Sequence, residues 1–91
     1  MILRWTQHGL NDLVRLHTFL QPVNLQAATK IIQALTDAVA RLLEHPRLGE
    51  KISQYEPREV RYLIVGHYEM RYEIVASTIY ILRLWHTREY R

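Results

Sequence analysis

The groups in this chain that can hold charge or move protons gather toward its C-terminal end. Arg61, Arg71 and Arg83 are spaced so that each falls on one of three successive strands, and His86, Arg88 and Tyr90 follow them. A guanidinium fork binds phosphate or carboxylate bidentately, and an imidazole or phenol can transfer a proton. Arginines over a sheet can therefore hold phosphate, and His86 or Tyr90 can shuttle a proton. Each residue also has a plainer explanation. Arg71 lies between Glu69 and Glu73, which fits cross-strand ion pairing. His86 at a strand end suits packing or hydrogen bonding. Trp85 suits the core or a partner contact better than a base-stacking platform. Tyr90 and Arg91 sit at a terminus.

Other chemistries find no support. There is no Cys, so disulfides and thiolate metal ligands are excluded. The five His are scattered without paired spacing, and no metal is expected. No Gly-rich phosphate loop occurs, and no cofactor is expected. Ser53 and Ser77 fall in a loop and a turn, which is no place for a nucleophile elbow. The carboxylates alternate with basic residues, so a paired-carboxylate hydrolase is a poor fit.

The chain has 91 residues, 48% of them hydrophobic, with two Trp and six Tyr. That is enough for one folded domain spanning residues 1–91 with a modest core. The net charge is +3, which suits an acidic partner, either nucleic acid or protein. Residues 1–45 hold four basic and three acidic groups, and residues 46–91 hold eight and six. Arg58, Arg61, Arg71, Arg83, Arg88 and Arg91 make the last third the expected source of exposed positive charge. Lys occurs only at positions 30 and 51. No leader is visible after Met1, and no stretch approaches the ~18 apolar residues of a membrane helix. The expectation is a cytoplasmic protein with no membrane contact.

The elements that must position these groups can be read from periodicity. Met1–Trp5 alternates like a strand, and Thr6 is a good N-cap. From Gln7 to Leu20, Leu10, Leu13, Val14, His17 and Leu20 recur at helical spacing. Asp12 falls on the polar side, and Leu16 and Phe19 lie outside the main stripe. Gln21-Pro22 should end this helix. Asn24 caps a second helix from Leu25 to Leu43, with Ala28, Ile31, Ile32, Leu35, Ala38, Val39 and Leu42 inward, and His45-Pro46 stops it. Residues 46–59 are a loop with room for a short strand or turn around Lys51–Tyr55.

Three β-rich runs follow: Val60–Val65, Tyr68–Ala76 and Ile79–His86. Their joints, Gly66-His67 and Ala76-Ser77, are short enough for hairpins. Tyr68, Met70, Tyr72 and Ile74 share the core face, and Glu69, Arg71 and Glu73 the other. The last strand is out of phase unless a bulge near Leu82-Arg83 brings Ile79, Ile81, Leu84 and His86 to the core side. Burial of that strand on both faces would fit the pattern equally. The predicted fold is α+β, ordered β-α-α-β-β-β: a helical hairpin packed on a mostly antiparallel four-stranded sheet.

Three stretches carry a family resemblance: LLEHPRLG at 42–49, REVRYLIVGHYEMRYEI at 58–74 and IYILRLWHTRE at 79–89. In this order they resemble the RelE/ParE superfamily of type II toxin–antitoxin toxins over essentially the whole chain, and that family has the fold just derived. The resemblance implies a growth-inhibiting toxin, of a kind tied to plasmid stabilisation, held in check by a cognate antitoxin protein. ParE-like members block DNA gyrase by contact, without established enzymatic activity. RelE-like members are endoribonucleases that cut mRNA on the ribosome. The Trp85-His86-Thr87-Arg88 ending is closer to the H-x-R endings of the ParE-like branch, and the scarcity of Lys fits ribosomal RNA poorly. The expectation is a non-enzymatic, ParE-like gyrase inhibitor, with a ribosome-dependent nuclease using Arg71, His86 and Tyr90 as the alternative. Target contact is expected at Arg61, Arg71, Arg83, Trp85, His86 and Arg88, and antitoxin contact at Leu16 and Phe19.

Overall fold

The computed structural model describes residues 1–22 and 24–88. Strand β1 (Ile2–Trp5) leads into helices α1 (Gln7–Leu20) and α2 (Leu25–Glu44). A short β2 (Glu50–Lys51) and a 3-10 turn (Ser53–Tyr55) precede the long strands β3 (Glu59–Val65), β4 (Tyr68–Val75) and β5 (Thr78–His86). The strands form one sheet in the order β1-β5-β4-β3-β2, with β1 parallel to β5 and every other pair antiparallel. The helices cover one face. The architecture is the expected one, except that the sheet has five strands rather than four. The extra strand is Glu50–Lys51, which pairs with Tyr62 and Arg61 at the start of the loop expected to have room for a short strand or turn around Lys51–Tyr55. Two residues are too short to imprint an alternation on the sequence.

The core lies between the helices and the sheet. Leu35, Ala38 and Leu42 of α2 and Leu16 of α1 meet Met70, Tyr72, Ile74, Ile79, Ile81 and Leu84. In β5 the pairing passes from Arg83 opposite Arg71 to Ile81 opposite Tyr72, so Leu82 is the extra residue of a bulge. The bulge restores the phase, and Ile79, Ile81 and Leu84 are all fully buried.

Helix α1 is pinned to that bulge. The Thr6 hydroxyl caps the helix by accepting from the Gly9 amide at 3.1 Å. Its own proton is shared between the Ile81 and Leu82 carbonyls, at 2.8 and 3.2 Å. Gly9 lies against the Ile81 carbonyl oxygen, where a Cβ would collide with backbone. Strand β1 pairs only with residues 78–81 of β5, so the strand beyond the bulge has lost that neighbour. Asp12 supplies the missing acceptor, taking the Leu84 amide at 2.9 Å. Asp12 is therefore 5% exposed, not on a polar face as the periodicity implied.

The inward side of α1 is rotated one residue back from the expected stripe. Gly9, Asp12 and Leu16 are buried, with Leu13 and Leu20 packed beside them. Leu10 and Val14 are 44% and 57% exposed. A small residue and a carboxylate occupy the inward face, and an apolar scale does not count either of them.

Candidate functional site

The register fixes which side chains share the outer face of the sheet, the face away from the helices. Tyr62, Arg71 and Arg83 are successive cross-strand partners, as are Ile64, Glu69 and Trp85. The Arg71 side chain runs among aromatic rings. Its guanidinium carbon lies 4.8 Å from the centroid of Trp85 and 5.8 Å from that of Tyr55. Arg58 lies 5.6 Å from the centroid of Tyr55, and Arg83 lies 5.5 Å from that of Trp85. The result is an alternating ladder, Arg58–Tyr55–Arg71–Trp85–Arg83, of cation–π contacts.

Each cation in the ladder also has a carboxylate. Arg58 donates twice to Glu73, both bonds at 2.9 Å. Arg71 donates to Glu69 at 2.7 Å and to the Tyr55 hydroxyl at 3.1 Å. Arg83 donates to Asp12 at 2.8 and 3.3 Å. The hydrogen bonds from Arg58 hold the Glu73 carboxyl below its ordinary range against the upward push of burial, and Glu73 raises Arg58 in return. The outer face is thus a neutralised surface, not the field of exposed positive charge the composition implied. A pocket of 390 Å³ beside it is lined by Lys51, Ser53, Gln54, Tyr62, Glu69 and Arg71 among others. Arg71 presents no free fork there, because its terminal nitrogens are engaged by Glu69 and Tyr55.

Arg61 lies elsewhere. It is the partner of Tyr72, so it faces the helix side. There it donates to Glu59 at 2.9 Å and to the Gly49 carbonyl at 2.8 Å. Burial pushes the Glu59 carboxyl up, but hydrogen bonds from Arg61 and Arg47 outweigh it and leave the pKa lowered. The same corner fixes the His45–Gly49 turn. The Tyr72 hydroxyl donates to the Pro46 carbonyl at 2.7 Å and accepts from the Gly49 amide at 2.9 Å. A Cβ at Gly49 would lie 2.6 Å from the Tyr62 carbonyl oxygen and 2.7 Å from the Tyr72 hydroxyl, so only glycine fits. Burial raises the Tyr72 pKa and keeps the phenol protonated for this role.

His86 is the cross-strand partner of Tyr68 and so faces the helix side as well. It stands edge-on to Tyr68 with centroids 5.2 Å apart and stacks on His67 at 5.9 Å with planes 21° apart. Its Nδ1 accepts from the Arg88 amide at 3.0 Å, and the Thr87 amide donates to the His67 carbonyl at 2.8 Å. These residues border a groove of 530 Å³ at the end of α1, lined by Arg15, Leu16, Phe19, Leu20, Tyr68, His86 and Arg88. Leu16 is 5% exposed and belongs to the core as well as to the groove floor. Phe19 is 72% exposed and stands on the rim. Leu10, Val14 and Phe19 line a further apolar depression along α1.

The structure therefore divides the expected target-contact residues among three places. Arg71, Arg83 and Trp85 meet on the outer face, Arg61 is part of the 45–49 corner, and His86 and Arg88 border the groove. Arg71 and His86, two members of the candidate nuclease set, lie on opposite faces of the sheet. Tyr90, the third, lies outside the described residues. No group of three or more His, Asp or Glu able to hold a metal occurs among the described residues. Tyr55 and Asp12 are the participants that the sequence did not disclose. Tyr55 sits in an aperiodic loop, and its only signal is an aromatic amid charge.

Residues 3–90 match the family described as the ParE toxin of the type II toxin–antitoxin system parDE. A solved structure of the "Chromosomal ParDE TA system from P. aeruginosa" shares the fold, with a TM-score of 0.76 at 22% identity over 94% of this chain and 95% of that one. No curated protein sequence matches the chain. No helix among the described residues is long and apolar enough to cross a membrane.

Proposed function

Because the chain belongs to the ParE toxin family of type II toxin–antitoxin systems, we propose that it inhibits DNA gyrase by binding it, and that a cognate antitoxin neutralises it. The observation that carries the non-enzymatic part of this reading is the separation of Arg71 from His86. A general acid and an oxyanion-stabilising cation must converge on one phosphate, and here a sheet lies between them. Arg71 is further occupied by Glu69, Tyr55 and Trp85. An inhibitor that acts by contact needs only accessible groups. Arg83, whose side chain is 47% exposed, and Arg88 are the members of the expected set best placed to supply them.

The antitoxin in this reading occupies the groove at the end of α1 and the apolar ridge of Leu10, Val14 and Phe19. Basic Arg15 and Arg88 border an apolar floor there, which fits a segment bearing acidic and large apolar side chains.

Purified gyrase assayed for supercoiling with and without the protein tests the target. The expected result is loss of supercoiling with trapped cleavage complexes, relieved by the antitoxin. Undiminished supercoiling would overturn the gyrase assignment. Ribosome-dependent cleavage of mRNA in a toeprinting assay would replace it with the RelE-like activity.

A further inference from the structure

We infer that the hollow between α2 and the β3–β4 hairpin is a binding site for a small amphipathic carboxylate, a monoacid whose apolar body is a short alkyl chain or a single ring. Lys30 and Ala34 are four residues apart, as are Ile31 and Leu35, so the two pairs form adjacent rows on one side of α2. Both rows face the hairpin turn, and the hollow is closed on that side by residues 65–68. The gap exists because small residues meet across it. Ala34 reaches no further than its methyl group. Gly66 makes the tight turn with a φ of 61°, and an added Cβ there would find open space. What is left between helix and hairpin is 220 Å³.

Size and lining narrow the occupant. An apolar cavity of about 150 Å³ takes benzene, and drug-sized ligands need roughly 300–1,000 Å³. The hollow falls between the two and suits one ring or a chain of several carbons. Its floor is the protein core itself: Leu35 is 2% exposed, and Val65 and Tyr68 are 8% exposed. A sugar or another strongly polar body would lose its hydration against these side chains and gain no hydrogen bonds in return.

The rim selects the head group. Lys30 is exposed and forms no ion pair among the described residues, unlike the arginines of the outer face. His67 carries a ring N–H in every protonation state, and its stack on His86 orients the ring. An anion at the mouth therefore meets a cation and a neighbouring donor. Among the described residues no carboxylate lines the hollow, so an amine would find no counter-charge there. No arginine lines it either, so the bidentate fork that favours phosphate is missing. A single carboxylate is the head group that matches. Tyr68 lines both this hollow and the groove at the end of α1 and stands between them. The site rests on neither the gyrase nor the antitoxin reading.

The probe is octanoate, added to the free full-length protein below its micelle-forming concentration and followed by methyl NMR. The expected result is saturable shifts at the Ile31, Leu35 and Val65 methyls, with NOEs from the octanoate chain to the same groups. Octanol has the same chain and no charge, and it should bind about fivefold more weakly, the worth of one partly exposed ion pair. Lys30→Met keeps the apolar stem and removes the cation, so it lowers octanoate to the octanol level and leaves octanol unchanged. Ala34→Phe fills the hollow from an exposed helix position and abolishes binding of both, with thermal unfolding as the check on the fold. Shifts that do not saturate, or that fall at the α1 groove instead, overturn the site. Equal binding of octanoate and octanol, or undiminished octanoate binding by Lys30→Met, overturns the carboxylate assignment.

Discussion

Asp12 shows how one residue can be misplaced by its chemistry and still be indispensable. Its carboxylate satisfies a buried strand amide and takes two nitrogens of the Arg83 guanidinium. Asp12→Ala leaves the Leu84 N–H unsatisfied in the core, at an expected cost of roughly 1–3 kcal/mol. Asp12→Asn keeps an acceptor for that amide but loses the charge and the oxygen that accepts the second Arg83 bond, so its loss is the smaller of the two. Urea unfolding of the two variants measures the difference, and equal losses would contradict the role given to the Leu84 bond. The sequence could not disclose this. A carboxylate in a helix is expected to face water unless its acceptor is needed, and the need arises from the bulge at Leu82, near the other end of the chain. Gly49 and Tyr72 are similar. The order of residues from His45 to Gly49 marks a turn, but the phenol that closes it comes from β4.

The elements were more legible than their contacts. Both N-caps, Thr6 and Asn24, accept from the amides three residues on, at Gly9 and Ala27. The phase break in β5 pointed to a bulge beside Leu82, because apolar alternation is a strict record of which face is buried. The facing of α1 was not legible, since a glycine and an aspartate hold its inward side. That rotation leaves Leu10 and Val14 outside beside Phe19. If they serve a partner rather than the fold, Phe19→Asp should change unfolding stability by no more than about 0.5 kcal/mol. Under the proposed function it should also weaken antitoxin binding at least tenfold. Isothermal titration with the antitoxin, alongside thermal unfolding, reads both quantities. Tight binding by Phe19→Asp would move the interface off α1.

Across the whole molecule the decisive feature is the balance of charge. The arginines of the sheet looked like a phosphate-binding field in the sequence, yet Arg58, Arg61, Arg71 and Arg83 each hold a carboxylate. The ion-pairing reading of Arg71 beside Glu69 was open to the sequence, but the partners that Arg58 and Arg83 find in Glu73 and Asp12 come from other elements and were not. The pairing sets an acid limit. Glu73 and Glu59 both have lowered pKa values in the folded protein. Their contribution is complete above the unfolded carboxyl value of about 4.3, declines below it, and is gone beneath the folded value. Stability should therefore fall as pH drops below about 4.3, and Glu73→Gln should show a shallower decline over that window. Unfolding curves at stepped pH would reveal it; an unchanged slope in Glu73→Gln would assign the acid sensitivity to other groups.

The alternating ladder on the outer face has a consequence for how this protein can change over generations. Tyr55 touches two arginines, Trp85 touches two, and Arg71 touches both rings. No rung can be exchanged without altering the worth of its neighbours, so substitutions along it are strongly epistatic. Drift across this surface should proceed in coordinated sets, whereas the exposed Leu10, Val14 and Phe19 of α1 can vary one residue at a time.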